Sequence, residues 1–372
     1  VRVALVTHRL APHQPTGVHR YAASLARALA GNGHSGYCVA SPVESPAPVA
    51  WPGVPYHPLP WPRRQVQLAW SLGGGPLLER GLGDLDLVHL LHPFPPVRSR
   101  APLVVTIPDL TPLDYPSWFS ARDRLLYRRS VELAVDRAQH IVAYSEAVAA
   151  AIRDRWRIDA ARVTAIPLAA GDGLGSRPSD DDVARVCTRH GLTAGSYVLH
   201  IGALVIRKNL PMLVRAAARL PRTVTLVLAG PHGNAARNVA REAERHGVSD
   251  RVRLVGHVDD GELTALLAGA ALLAHPSHYE GFGLTLLEAM CAGVPVVAAR
   301  TGAQPEVVGS AGLLLAPTDV TGWADAMLRL IESREERERL AAAGRARAAT
   351  FTWSRVADAT AGVHRRVMAR AR

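Results

Sequence analysis

Apolar residues fall along this chain in two alternating rhythms. Short, mostly apolar runs read as buried strands: VRVALV at 1–6, DLVHLL at 86–91, LVVTI at 103–107, HIVAYS at 140–145 and VTAIPL at 163–168. Between the first two lies VHRYAASLARALAGNG, where Val18, Tyr21, Ala22, Leu25, Ala28 and Leu29 recur at helical spacing. Thr16 is placed to cap that helix, and Gly31 or Gly33 to end it. The stretch AAGDGLGSRPSDDD then breaks every pattern and reads as a linker. A second cycle follows through SYVLHIGAL, TVTLVLAG, VRLVGHV, ALLAHPS and VPVVAA, with turn or helix signals between the runs.

Strand and helix alternating in both halves predict an α/β protein of two doubly wound, parallel-sheet, Rossmann-like domains. The expected divisions are a first domain over 1–172, a linker region over 173–194, a second domain over 195–354 and a terminal helix over about 355–372. Ligands of such sheets bind outside the carboxyl ends of the strands. Two domains facing across a cleft would bring both sets of loops to one ligand.

A length of 372 residues agrees with two domains, and 48% hydrophobic content fills sizeable cores. The cysteines, Cys38, Cys187 and Cys291, lie far apart with no CxxC, which suits a reducing compartment. No apolar run reaches the length of a membrane span, so a cytoplasmic protein is expected. The net charge of +11 is spread over both halves: 18 Arg against 13 acidic residues in 1–172, and 25 basic against 19 acidic in the remainder. With 5% aromatic residues and no recognised binding motif, nucleic acid is not an expected partner. Arg122, Arg124, Arg128 and Arg129, and the terminal HRRVMARAR, read as solvated helix faces. Peripheral contact with the inner face of a membrane is the functional alternative.

The chemistry concentrates in HPSHYEGFGLTLLEAMCAGVPVVAA, residues 275–299. EGFG opens directly onto a helix, and a helix start with glycines lets backbone N–H groups approach an anion closely. Glu280 precedes that helix, and Glu288 lies about five residues inside it, about 7–8 Å along the axis from the helix start. Carboxylates accept hydrogen bonds that hydroxyls donate. An anion site between two hydroxyl acceptors describes a nucleotide sugar. The chain's single lysine, Lys208, stands beside Arg207 in VIRKNL. From those residues alone, coding bias and a functional point charge explain it equally well.

The frame YEGFGLTLLEAMCAGVPVV resembles the signature of retaining glycosyltransferases of family 4, which have the GT-B fold. PTGVHRYAASLARAL, GALVIRKNLPMLVRA, GHVDDGELTALLAGAALLAHPS, TGAQPEVVGSAGLLLAP and FTWSRVADATAGV resemble other blocks of that family, in order over nearly the whole chain. The resemblance implies transfer of a sugar from a nucleotide-diphosphate sugar to an acceptor hydroxyl, with retention and without a metal or other cofactor. It implies that Arg207 and Lys208 grip the diphosphate, with Gly202 in the same segment and Gly17 under the diphosphate from the first domain. The backbone of Gly281, Phe282, Gly283 and Leu284 would meet sugar and phosphates. Glu280 would hold sugar hydroxyls, Glu288 the ribose, and Val258 would sit beside the base. The acceptor would be a saccharide, a lipid-linked saccharide or a small molecule. A nucleotide-sugar epimerase of the same architecture and a catalytically impaired sugar-nucleotide-binding protein are the alternatives.

Two positions depart from the family's pattern. Pro108-Asp109 stands where His-Asp is usual, and the missing histidine ordinarily sits near the sugar's 6-hydroxyl. Either Asp109 or a neighbour compensates, or the donor lacks that hydroxyl. Comparing turnover of a hexose donor with its 6-deoxy counterpart separates the two. His19 likewise replaces a common glycine in TGVHRY. Asp84 and Asp86 match a metal-binding DxD but precede a strand, its wrong end for a ligand. His89 with His92, and His275 with His278, have metal-like spacing without a credible third ligand, so structural or substrate contacts are expected there.

Overall fold

Strands buried on both faces need continuous apolar runs, and the runs above form the centres of two parallel sheets. The computed structural model describes residues 1–7, 17–43, 55–94, 97–171 and 178–371. Contacts divide the chain into one unit of Val1–Ala169 with Thr352–Arg372, and a second of Ala170–Phe351.

The first unit holds β1 (Val3–Val6), β2 (Tyr37–Val43), β3 (Tyr56–Pro62), β4 (Leu87–Leu90), β5 (Leu103–Ile107), β6 (His140–Ala143) and β7 (Val163–Ala165). Their order is β3-β2-β1-β4-β5-β6-β7, every pair parallel. The order reverses between β1 and β4. Strands β2 and β3 were not evident from periodicity. Pro58, Pro60 and Pro62 obscure β3, and an edge strand tolerates them because it need not donate to a second neighbour.

The helix Gly17–Gly31 follows β1. Thr16, expected as its cap, lies outside the described residues. The last helix, Trp353–Ala371, packs against it within this unit. Asn32 Nδ2 donates to Asp358 Oδ1 at 2.9 Å, and Tyr21 and Trp353 rings lie 6.2 Å apart. Deeper in, Tyr37 Oη meets His364 Nδ1 at 3.0 Å, His364 Nε2 meets His89 Nδ1 at 3.0 Å, and His89 Nε2 meets Thr106 Oγ1 at 2.9 Å. Burial lowers the pKa of His89 to about 3. His89 is thus a core histidine that ties the last helix to the sheet. Asp86, just before β4, accepts from Arg2 N at 2.7 Å.

The second unit holds β8 (Tyr197–Ile201), β9 (Thr225–Ala229), β10 (Val252–Gly256), β11 (Leu272–His275), β12 (Val296–Ala299) and β13 (Leu313–Leu315), ordered β10-β9-β8-β11-β12-β13 and again all parallel. The reversal falls between β8 and β11. Part of the stretch expected as linker, 173–194, is instead the helix Asp180–His190, packed on the helix Asp260–Gly269. Ser179 caps it by accepting from Asp182 N, and three aspartates in its first turn complement the helix dipole. The acidic run that looked like loop is a helix start.

Candidate active site

The two segments that leave β8 and β11 at their carboxyl ends meet at the switch point of the second sheet, where open α/β sheets bind ligands. After β8 the chain turns at Gly202, with φ +140°, where a Cβ would lie 3.1 Å from Lys208 Cε. The absent side chain leaves room for the lysine stem. A single helical turn, Ile206–Lys208, ends at Asn209 in the left-handed region, φ +54°. Asparagine tolerates that conformation, and its Nδ2 donates to Pro276 O at 3.2 Å and Pro317 O at 2.8 Å. His278 N donates to Arg207 O at 2.9 Å, which joins the two segments directly.

Their meeting creates a buried charge cluster. Lys208 and Glu280 are 7% and 8% exposed, so neither charge is stabilised by bulk water. Lys208 Nζ lies 2.8 Å from Glu280 Oε1, Arg207 pairs with Glu280 Oε2, and Arg207 Nη1 also donates to Tyr279 O at 2.9 Å. His275 Nε2 is 3.1 Å from Glu280 Oε1. Burial pushes the Glu280 carboxyl up, but Lys208, Arg207 and the His275 hydrogen bond outweigh it and hold the group well below its ordinary value. Burial lowers the Lys208 ammonium, and Glu280 pulls against that shift. Burial, followed by the Lys208 charge, drops His275 to about 4, so it is neutral at pH 7.

The Glu280 backbone is pinned as well. Its carbonyl accepts from Ala303 N at 3.0 Å, and a Cβ on Gly302 would come within 2.6 Å of that oxygen. Beyond it, Gly281 and Phe282 lead to Gly283, which adopts φ +102° and starts the helix Leu284–Cys291 without a side-chain cap. An uncapped helix start offers backbone N–H groups and a positive dipole end to an anion. Phe282 is buried edge-on against Phe351, ring centroids 6.0 Å apart. Glu288 is buried at 6% exposure rather than on a solvated helix face. Val258 is half-buried just past edge strand β10, away from the charge cluster in the strand order.

Gly17, Pro108 and Asp109 belong to the first unit. Gly17 begins its helix, and Pro108 and Asp109 follow the carboxyl end of β5. Asp109 Oδ1 accepts from Thr111 N at 2.8 Å, and its carbonyl accepts from Tyr127 Oη at 2.5 Å. The described residues contain no group of three or more His, Cys, Asp or Glu placed to hold a metal ion.

Two doubly wound parallel sheets, the second with a buried lysine beside an uncapped helix start, define a two-domain α/β protein. Comparison with known proteins makes the class specific. Residues 192–347 match the family described as Glycosyl transferases group 1, and residues 15–170 match Glycosyltransferase Family 4. O-antigen chain mannosyltransferase B of Escherichia coli is 32% identical over 267 residues, 70% of each chain. A D-inositol 3-phosphate glycosyltransferase of Nocardioides sp. is 31% identical over 323 residues, 82% of this chain and 67% of the relative. The chain belongs to the group 1 glycosyl transferases. Its fold is GT-B, as in Anabaena HepE solved with UDP and glucose (TM-score 0.75, 23% identity, 97% and 98% of the two chains). Sucrose-phosphate synthase of Thermosynechococcus elongatus shares it (TM-score 0.77, 22% identity, 99% of each chain).

Sequence reasoning had set His275 beside His278 for their spacing and had not connected it to Glu280. His200, stacked on His275 with ring centroids 5.6 Å apart, carried no signal beyond a polar residue in an apolar strand. Asn209, next to the only lysine, was overlooked. Its signal was a residue that tolerates positive φ directly before Leu-Pro.

Proposed function

We propose that the protein transfers a sugar from a nucleoside diphosphate sugar to an acceptor hydroxyl, with retention of anomeric configuration and without a metal. The observation that carries this reading is the buried Lys208–Glu280 pair, with Arg207 on the same carboxylate, at the switch point. Lys208 and Arg207 take the diphosphate and stabilise the charge that grows as the nucleotide leaves. The peptide groups at Gly281–Leu284 complete the anion site. Glu280 accepts from sugar hydroxyls, Glu288 from the ribose, and Val258 borders the base, with Gly202 keeping room for Lys208.

Fixed cations supply what a metal otherwise would. The acceptor oxygen bonds to the anomeric carbon on the face from which the phosphate departs. The carbon–phosphate oxygen bond breaks, and the departing phosphate takes the acceptor proton. Orientation and electrostatics then carry the rate, with no protein nucleophile. The matched relatives named above are glycosyltransferases, which disfavours an epimerase or an inert binding protein. HepE's complex with UDP makes uridine the first base to try. NMR of the product formed in EDTA tests the reading: it requires the donor's anomeric configuration, and an inverted product or an absolute need for added metal contradicts it.

For the acceptor, the same reading includes lipid-linked saccharides at an anionic membrane. The helix Ala121–Arg137 exposes Arg122, Arg124, Arg128 and Arg129 beside Leu125 (66% exposed), with Phe119 (36%) just before it. Basic residues around apolar ones suit such a surface. Sedimentation with anionic vesicles, but not with neutral ones, is the expected result. Equal sedimentation with both, or none, removes the membrane from the account.

A further inference from the structure

His275 ends β11 fully buried, and its chemistry is constrained by what surrounds it. Its Nε2 lies 3.1 Å from Glu280 Oε1 and 3.5 Å from Lys208 Nζ. A carboxylate only accepts and an ammonium only donates, so one neutral ring nitrogen cannot serve both. Nδ1 has no partner. A proton on Nδ1 would be a buried orphan donor, whereas a proton on Nε2 goes to Glu280 and leaves only a bare lone pair behind. The geometry therefore selects the Nε2–H tautomer. His200 is fixed in the complementary way. Its Nδ1 donates to Ala274 O at 2.9 Å, and among the described residues its Nε2 has no partner. The ionisable groups around His275 are thus Glu280, Lys208, Arg207 and the stacked His200.

We propose that His275 is a positioning residue of this site: as a neutral donor it fixes the Glu280 carboxylate so that Oε1 faces Lys208 and Oε2 faces Arg207. A third cation at that point would repel Lys208 and Arg207 and compete with them for an anionic ligand. An apolar residue would leave Oε1 held by Lys208 alone. A neutral N–H sets the angle of the carboxylate and adds no charge. This inference rests on reading Lys208 and Glu280 as donor-contacting groups, yet its test does not depend on catalysis.

Because Lys208 is the only lysine, the full chain grown with labelled lysine gives one side-chain signal whose titration can be followed directly by NMR. His275→Leu loosens the hold of Glu280 on Lys208 and lowers that titration by about one pH unit. His275→Gln, which returns an N–H near the Nε2 position, leaves it close to wild type. Should the leucine variant not fold, nitrogen-15 histidine spectra decide: the wild-type signal lost in His275→Gln must be that of a neutral Nε2–H ring at pH 7. An unchanged Lys208 titration in His275→Leu, a glutamine variant that behaves like leucine, or an Nδ1–H ring overturns the proposal. In a transfer assay, His275→Leu lowers kcat about tenfold or more through misplacement, with little change in donor KM, and glutamine recovers it. A wild type that transfers no sugar while the Lys208 titration behaves as stated contradicts the proposed function and leaves His275 in its role.

Discussion

Replacing Lys208 with methionine removes an ammonium and keeps most of the stem. The 2.8 Å separation from Glu280 corresponds to a gross attraction of about 6 kcal/mol at an effective dielectric near 20. Part of that is offset, because the variant no longer buries a cation. Removing one partner of a buried pair ordinarily costs about 3–5 kcal/mol, since the other charge is left behind. Glu280 keeps Arg207 and His275, so the lower end, about 3 kcal/mol, is expected. For a unit of this size that lowers Tm by about 6–12 °C. Urea and thermal denaturation of wild type, Lys208→Met, Glu280→Gln and the double variant measure it. The double variant buries no orphan carboxylate and should regain about 1 kcal/mol or more over Lys208→Met. A single variant within about 0.5 kcal/mol of wild type, or a double variant whose losses simply add, would refute the reasoning.

Glu280 also sets a dependence on pH. Its folded carboxyl titrates below the ordinary value of 4.5. Its contribution to stability is therefore fully present above 4.5 and lost as pH falls through the folded value. The stability gap between wild type and Glu280→Gln should narrow below pH 4.5 in urea melts, and a constant gap from pH 7 to pH 3 speaks against this. Gly230, at φ +151°, would place a Cβ 2.1 Å from Gly202 O, so Gly230→Ala should cost about 3 kcal/mol or more. Gly191→Ala, with a positive φ but nothing within 4 Å, should cost about 1–2 kcal/mol. Equal losses in the two denaturation curves would remove the argument from close approach. On the helix Ala121–Arg137, Arg122→Glu with Arg124→Glu should weaken vesicle sedimentation and leave Tm within about 2 °C, because both side chains are exposed. A large loss of Tm there would mean the arginines serve the fold.

Strands β1, β4, β5, β6 and β8 were legible because a central parallel strand needs unbroken apolar residues on both faces. Strand β3 was hidden by its own prolines, and β13, three leucines long, is too short to carry a period. Glu280 and Glu288 could be picked out by their spacing around EGFG. That both are buried could not, since helical spacing does not say which face a neighbouring segment covers. His275 was the least legible of all. A histidine ending a buried strand looks the same whether it packs in a core, as His89 does, or supports a charge cluster. Only the meeting of two segments far apart in the chain, one carrying Lys208 and the other Glu280, separates the two cases.

The most direct test of the central claim is a thermal-shift titration of wild type and Lys208→Met with UDP, GDP, ADP and dTDP and their sugars, in EDTA. A ligand at about a hundred times its Kd adds about 2.7 kcal/mol to the folded state, or about 5–10 °C. One nucleotide series should give that shift with wild type, and the variant should lose most of it. No shift with any series, or the same shift in both proteins, would contradict a nucleotide sugar held by Lys208.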